Sequence, residues 1–192
     1  MKFKSKDNKK EVVVVYDEDS ESPRAWDNLS TMAIKSSRYN LSDNLDFTIP
    51  NDVTFEEFEE YLIEEQGAVI TIPLWIYDHS GISLNTSKVC RWDSSPVGYA
   101  FVTKETLRKE YNVKNVTQKI LEKARAVIKS EIETYNQYLM GQVYAVRVNE
   151  IKICDLGHEH KELIESISGF YDVDDIWDNI SENKEDFSEV SE

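Results

Sequence analysis

The sequence predicts an α+β fold in which helices pack on a mixed or mainly antiparallel sheet, within a single domain. Two observations lead to this class. Apolar runs of strand composition at 68–77 and 97–102 border both hairpin-like and helical segments. A stripe of apolar residues at helical spacing follows Thr117, and we expect it to lie on the sheet. With 192 residues and 40% hydrophobic content, the chain has enough apolar material for one core.

Composition suggests where this domain begins and ends. Residues 1–10 are basic and polar, and we expect them to form a flexible N-terminus. The single α+β domain is predicted over 11–180. Residues 181–192 are acidic, and beyond Glu182 the chain is polar enough to favour a disordered tail.

The first half of the domain is predicted to contain two strands and one acidic helix. The β-branched run at 11–16 and the segment 31–35 have strand composition. Thr54 is a suitable N-cap for a helix, and Gly67 is suited to end it. The apolar stripe of this helix consists of Phe55, Phe58, Tyr61 and Leu62.

The second half is predicted to begin with the central strand at 68–77. A turn at 78–81 and a returning strand at 82–86 complete a hairpin. After the strand at 97–102, Thr103 caps a short helix. The long helix runs from Gln118 to Met140, and a strand at 143–148 follows it. The apolar face of the long helix consists of Leu121, Ala124, Ile128, Ile132, Tyr135 and Leu139.

Composition also restricts the location and the partners of the chain. No apolar run of about 18 residues is present to span a membrane, and the basic first residues are followed by polar ones, unlike a signal peptide. We therefore expect a cytoplasmic protein, in which Cys90 and Cys154 are free thiols. A net charge of -15 argues against direct binding of nucleic acid. A homo-oligomer is compatible with the sequence.

The negative charge is concentrated in two blocks, which sum to -12 over 11–66 and -10 over 151–192. A solvated surface is the commoner role of such runs. The alternative is that the carboxylates imitate the phosphates of a duplex and occupy a cleft built for nucleic acid. The predicted partner-binding residues are Glu56, Glu57, Glu60, Glu64, Asp172, Asp174, Asp175 and Trp177.

Motifs of known catalytic chemistry are missing from the chain, which has six glycines and no phosphate-binding loop. Cys154, His158 and His160 are zinc-ligand types, but their spacing matches no common structural site, and a polar loop before a helix explains them equally well. The sequence therefore predicts no metal, no other cofactor and no catalytic residue.

A second cluster combines the segment 77–81 with Trp92, Asp93 and Ser94. A nucleophilic triad is conceivable there. However, Asp78 and His79 are adjacent to Ser80, and three consecutive side chains do not converge on one point without help from another segment. A turn held by Asp and Ser side chains is the commoner outcome.

Several motifs in the chain point to a known group of proteins. They are Tyr-Asp-His-Ser-Gly at 77–81, Trp-Asp-Ser at 92–94 and Gln-Tyr-Leu-x-Gly-Gln-Val-Tyr at 137–144. Through them the chain resembles, over about 23–144, a family of small proteins found on bacteriophages, plasmids and other mobile elements of Gram-positive bacteria and archaea. The resemblance implies an accessory protein of a mobile element. For a small acidic protein in that setting, we expect a role in blocking a host defence such as restriction or CRISPR immunity.

Two functional hypotheses follow. In the first, the acidic faces bind and inhibit a host defence protein that handles nucleic acid, with an aromatic residue such as Trp177 or Phe58 as anchor. In the second, an aromatic and polar pocket binds or cleaves a small nucleotide-like ligand. The residues predicted for that pocket are Tyr77, His79, Trp92, Tyr135 and Tyr138. Only the first hypothesis predicts association that weakens steeply with salt.

Overall fold

The computed structural model describes residues 1–79 and 81–190. The chain divides into two compact units, of which unit 1 comprises Met1–Glu21 with Gly141–Glu192 and unit 2 comprises Ser22–Met140. Each unit has its own antiparallel sheet with helices, and the predicted α+β class is therefore confirmed. The strands are β1 (Lys2–Ser5), β2 (Lys10–Tyr16), β3 (Thr31–Ile34), β4 (Ala68–Asp78), β5 (Ile82–Asn85), β6 (Ser94–Thr103), β7 (Tyr144–Ile153), β8 (Glu159–Phe170) and β9 (Phe187–Glu189). The α-helices are α1 (Phe55–Glu64), α2 (Lys104–Glu110), α3 (Gln118–Leu139) and α4 (Ile176–Asn179).

Unit 2 is built on a four-stranded sheet with the strand order β3-β6-β4-β5. All of its strand pairs are antiparallel. Because successive side chains of a strand point to opposite sides, each strand contributes side chains to both faces of the sheet. In β6, for example, Ala100 and Val102 belong to one apolar cluster, whereas Tyr99 and Phe101 belong to another.

Helices cover both faces of this sheet. On one face, α3 buries Ala124, Ile128, Ile132 and Tyr135, the middle of the predicted apolar stripe, against the larger cluster. On the other face, α1 buries Phe58 and Leu62. Unit 2 therefore has three layers, with α1 and α3 on opposite sides of the sheet.

The ends of α1 are where the sequence predicts them. The Thr54 side chain accepts a hydrogen bond from the Glu57 backbone N–H, and the Glu57 carboxylate accepts one from the Thr54 N–H. Such a cap stabilises a helix by about 1 kcal/mol. After the helix, Gly67 has φ of 69°, a left-handed conformation that favours glycine.

The predicted hairpin is present, and its returning strand, predicted at 82–86, is β5 (Ile82–Asn85), with Asp78 opposite Ile82 in the register of β4 and β5. Within the predicted turn, Ser80 lies outside the described residues. The strand predicted at 97–102 begins earlier, at Ser94, because the Ser94 backbone pairs with Tyr77.

Unit 1 contains a five-stranded antiparallel sheet with the order β8-β7-β2-β1-β9. Val12, Val14, Val146 and Val148 form one apolar face of this sheet. The short helix α4 covers that face through Ile176 and Trp177.

The two ends of the chain differ from the prediction of a flexible N-terminus and a disordered tail. β1 pairs with β2 on one side and with β9 on the other. Phe187 of β9 is buried and lies 5.5 Å from the Trp177 ring. β9 is an edge strand, where polar and charged side chains are tolerated, which explains why the composition of the tail suggested disorder. Ser191 and Glu192 of the predicted tail lie outside the described residues.

The region after Ile153 also differs from the prediction. The loop at Cys154 and His158 leads into β8, a strand of twelve residues, rather than into a helix. The Cys154 backbone N–H donates to the His158 carbonyl, which closes the β7-β8 turn.

Candidate functional site

The acidic face of α1 consists of Glu56, Glu60 and Glu64. They recur every four residues, and they are therefore spaced about 6 Å apart along one side of the helix. All three are exposed. Among the described residues, no ion pair involves any carboxylate of α1. The charge of this face is thus not neutralised by neighbouring cations.

Glu57 also belongs to the predicted set, but it has a structural role as well. Its carboxylate accepts the hydrogen bond from the Thr54 N–H at 2.7 Å. That hydrogen bond holds the pKa of Glu57 below its ordinary value. Glu57 is exposed, and it adds a further negative charge to the first turn of α1.

Charge is divided between the two sides of unit 2. Residues 51–67, around α1, contain seven acidic residues and no lysine or arginine. Residues 104–140, which include α2 and α3, contain eight lysines or arginines and five glutamates. Since α1 and α3 cover opposite faces of the sheet, one side of unit 2 is acidic and the other is mildly basic.

The second predicted acidic set lies around α4 in unit 1. Asp172, Asp174 and Asp175 are exposed. Two of them have local partners: Asp174 forms an ion pair with Lys184 at 3.1 Å, and Asp172 accepts a hydrogen bond from the Asp174 backbone N–H. This set is therefore partly used to hold its own loop, which makes it a weaker candidate than α1.

Trp177 was predicted to bind a partner, but the structure places it in the core of unit 1. It is 9% exposed, and its ring packs edge-on against Phe3 at 5.2 Å. Burying Trp177 supports the pairing of β1 and β9, and the indole is not available at the surface as an anchor.

The five residues of the predicted ligand pocket do not come together. Tyr77 and His79 line a cavity of 310 Å³ with Ile82 and Leu139. Trp92 lines a different cleft.

Tyr135 and Tyr138 of α3 line neither of these cavities. Tyr135 is buried in the core, where burial raises the pKa of its hydroxyl to about 12. Its ring stacks on Tyr138 at 6.2 Å. The helical spacing of these tyrosines reflects packing.

The cleft at Trp92 was not predicted as a unit. It has a volume of 420 Å³ and lies where the loop after β3 passes the start of β6. The crossing is fixed by the Lys35 backbone N–H, which donates to the Val97 carbonyl at 2.7 Å. The lining residues are Lys35, Ser36, Ser37, Arg38, Tyr39, Ile76, Asp78, Trp92, Asp93, Ser95, Pro96 and Val97.

Asp78 holds one side of this cleft together. Its carboxylate accepts hydrogen bonds from the Arg38 guanidinium and from the Tyr39 hydroxyl. The bond to Asp78 raises the pKa of Tyr39. The Asp78 carboxylate is therefore paired with Arg38 and Tyr39, which disfavours a catalytic role beside His79.

Sequence reasoning also missed an ion network that anchors the loop before β3. Arg24 donates to both oxygens of Asp43, and Glu131 of α3 accepts from the backbone N–H groups of Leu29 and Ser30. The long separation of these residues along the chain hides the network. Its dense bonding indicates a structural role.

The described residues contain no group of three or more His, Cys, Asp and Glu side chains that could hold a metal ion. The thiol of Cys154 lies in the β7-β8 turn, where the backbone N–H groups of His158 and Leu156 lower its pKa.

Within the described part of the chain, no helix is long and apolar enough to cross a membrane.

Comparison with family models, with curated proteins and with solved structures found no match for this chain.

Proposed function

We propose that the protein binds and inhibits a host defence protein that handles nucleic acid, and that the acidic face of α1 is the contact surface. The observation that carries this proposal is the exposed row of Glu56, Glu60 and Glu64, which has no ion-pair partner among the described residues. Carboxylates without local partners are available to pair with the lysines and arginines of another protein.

The spacing of the row suits a cleft that holds a phosphate backbone. One carboxylate about every 6 Å along the helix gives roughly half the charge density of one DNA strand, which has a phosphate about every 3.4 Å. Glu57 and Glu65 add further exposed charge beside the row. The helix therefore acts as a coarse substitute for one strand and competes for the same basic residues.

The fold supports this role because it separates binding from stability. The opposite side of α1 buries Phe58 and Leu62, whereas the acidic row contributes nothing to the core. The row is thus available to a partner at no cost to the packing of unit 2.

The test is a charge reversal on this face. We would measure DNA cleavage by a panel of purified restriction endonucleases and RNA-guided nucleases with the wild type and with the triple variant Glu56→Lys, Glu60→Lys, Glu64→Lys. Inhibition of at least one nuclease by the wild type, weakened by salt and lost in the triple variant, is the expected result.

A matched control places the same change of charge on the other side of unit 2. The variant Glu110→Lys, Glu122→Lys, Glu133→Lys alters three exposed glutamates of α2 and α3 and should inhibit as the wild type does. Equal loss in both triple variants would mean that net charge alone matters. Full inhibition by the α1 variant would show that the acidic face of α1 is not the contact surface.

A further inference from the structure

The Trp92 cleft combines two features that the acidic face lacks. Trp92 is 82% exposed, which is unusual for the largest aromatic side chain and leaves a stacking surface open. The cleft beside it has a volume of 420 Å³, within the range of about 300–1,000 Å³ that is typical of small-ligand sites.

Each of the two aromatic residues that line the cleft, Tyr39 and Trp92, has an arginine beside its ring, although only Arg38 also belongs to the lining. The Arg38 guanidinium carbon lies 5.4 Å from the centre of the Tyr39 ring, and that of Arg91 lies 5.2 Å from the Trp92 ring. Each arginine is therefore held beside the aromatic ring of the next residue in the chain. Arginines in such positions are suited to phosphate, which they bind through paired N–H groups.

The polar lining of the cleft contains both hydrogen-bond donors and hydrogen-bond acceptors. Arg38 bonds Asp78 through Nη1, and its side chain is 72% exposed, so donors on the other guanidinium nitrogens face the solvent. Asp93, by contrast, lines the cleft next to Trp92 and supplies a carboxylate acceptor, of which Oδ2 also accepts a weak hydrogen bond from the Cys90 thiol at 3.7 Å. An anionic group is favoured near Arg38, and a planar group with N–H donors is favoured near Trp92.

We propose that this cleft binds a free mononucleotide, with its base stacked on Trp92 and its phosphate at Arg38. The stacking surface, the arginine and the acceptor for base amino groups are the three elements that a nucleotide uses. Among the described residues that line the cleft, Tyr39 and Trp92 are the only aromatic ones, so a strand of bases would find no further ring to stack on.

The overall charge favours a small ligand over an oligonucleotide. A longer nucleic acid would extend from the cleft over a chain of net charge -15, which repels its phosphates. A mononucleotide places its few charges at Arg38 alone. This inference does not depend on the acidic face of α1, because none of the cleft residues belongs to that helix.

The test is isothermal titration calorimetry with the mono-, di- and triphosphates of adenosine, guanosine, cytidine and uridine. We expect at least one of them to bind with a Kd below 1 mM, and the matching nucleoside and inorganic phosphate to bind at least about tenfold more weakly. Trp92→Ala should weaken binding by about tenfold, and Trp92→Phe should retain most of it. Arg38→Ala should weaken the phosphate-bearing ligands and leave nucleoside binding unchanged.

Arg125→Ala, a change at an exposed arginine of α3, is the matched control and should bind as the wild type does. Thermal melting of every variant confirms that it is folded. The inference is overturned if no mononucleotide binds below 1 mM, if Trp92→Ala and Arg38→Ala bind as the wild type does, or if a single-stranded oligonucleotide binds more tightly than every mononucleotide.

Discussion

Gly98 of β6 lies against the Ala33 carbonyl of β3 so closely that a Cβ on Gly98 would be 2.0 Å from that oxygen. The neighbouring atom is backbone in a paired strand, and it has no freedom to move aside. We expect Gly98→Ala to lower the free energy of unfolding by about 1–3 kcal/mol, through separation of β3 from β6.

The measurement is urea denaturation followed by circular dichroism. Gly67→Ala is the control, because Gly67 also has positive φ but nothing lies within 4 Å of its Cβ position. Only backbone strain of about 1 kcal/mol is expected there. Equal losses of unfolding free energy in the two variants would show that the close contact between β3 and β6 does not set the cost of Gly98→Ala.

Ile128 lies at the centre of the buried face of α3 and is fully buried. Ile128→Asp should cost several kcal/mol, because it places an unpaired charge in the core of unit 2. The adjacent Val127 is 41% exposed, and Val127→Asp should cost far less. Melting temperatures that fall equally in the two variants would contradict this orientation of the helix.

The ionisation of Glu11 should make the stability of the protein depend on pH. It is 1% exposed, and its carboxylate bonds Lys161 at 2.8 Å and Lys2 at 3.2 Å. Burial alone would raise the pKa of Glu11, but the hydrogen bonds and charges of the two lysines outweigh it and lower that pKa. The lowered pKa means that Glu11 stabilises the fold above its ordinary pKa of 4.5, and that this contribution is lost as the pH falls through the folded-state value.

The check compares the wild type with Glu11→Gln in urea between pH 7 and pH 3. At pH 7 the variant should be less stable by about 1–3 kcal/mol, because the partly exposed Lys2 and Lys161 lose the carboxylate that they bind. The difference should shrink as the pH falls below 4.5. A difference that stays constant over this range would show that Glu11 keeps an ordinary pKa.

Phe187 gives the C-terminal region a role in stability. Because Phe187 is buried against Trp177 and β9 pairs with β1, Phe187→Ala should destabilise the protein by about 3 kcal/mol. Val190→Ala, at a partly exposed position after β9, should have little effect. Differential scanning calorimetry distinguishes the two, and similar melting temperatures would favour the disordered tail that composition suggested.

Local patterns along the sequence predicted unit 2 well. The cap at Thr54, the left-handed Gly67 and the apolar face of α3 follow from neighbours within a few residues, which is the range over which sequence patterns are informative. The acidic face of α1 was predictable for the same reason.

Unit 1 was harder to predict because it is assembled from both ends of the chain. The run at 11–16 was identified as a strand, but its partner β7 lies more than 120 residues later, and no local signal pairs them. β8 escaped prediction because it is a sheet edge with charged residues such as Glu159, Lys161 and Glu162 at successive exposed positions. Alternation of apolar and polar residues is lost in such a strand.

The cleft at Trp92 illustrates a third limit. Its two halves come from the loop at 35–39 and from the start of β6, and only the register of β3, β4 and β6 brings them together. The sequence signals were the Arg38-Tyr39 and Arg91-Trp92 pairs, which are too short to be recognised without the fold.

The opposite placement of α1 and α3 gives unit 2 an electric dipole moment that points across its sheet. In the field of a positively charged cleft, such a dipole experiences a torque that turns the α1 side toward the cleft before contact. A larger fraction of encounters then begins in the productive orientation, and association is faster than net charge alone would allow. If the proposed function holds, the layer order of the fold would govern the rate of association, and the glutamates of α1 would govern its strength.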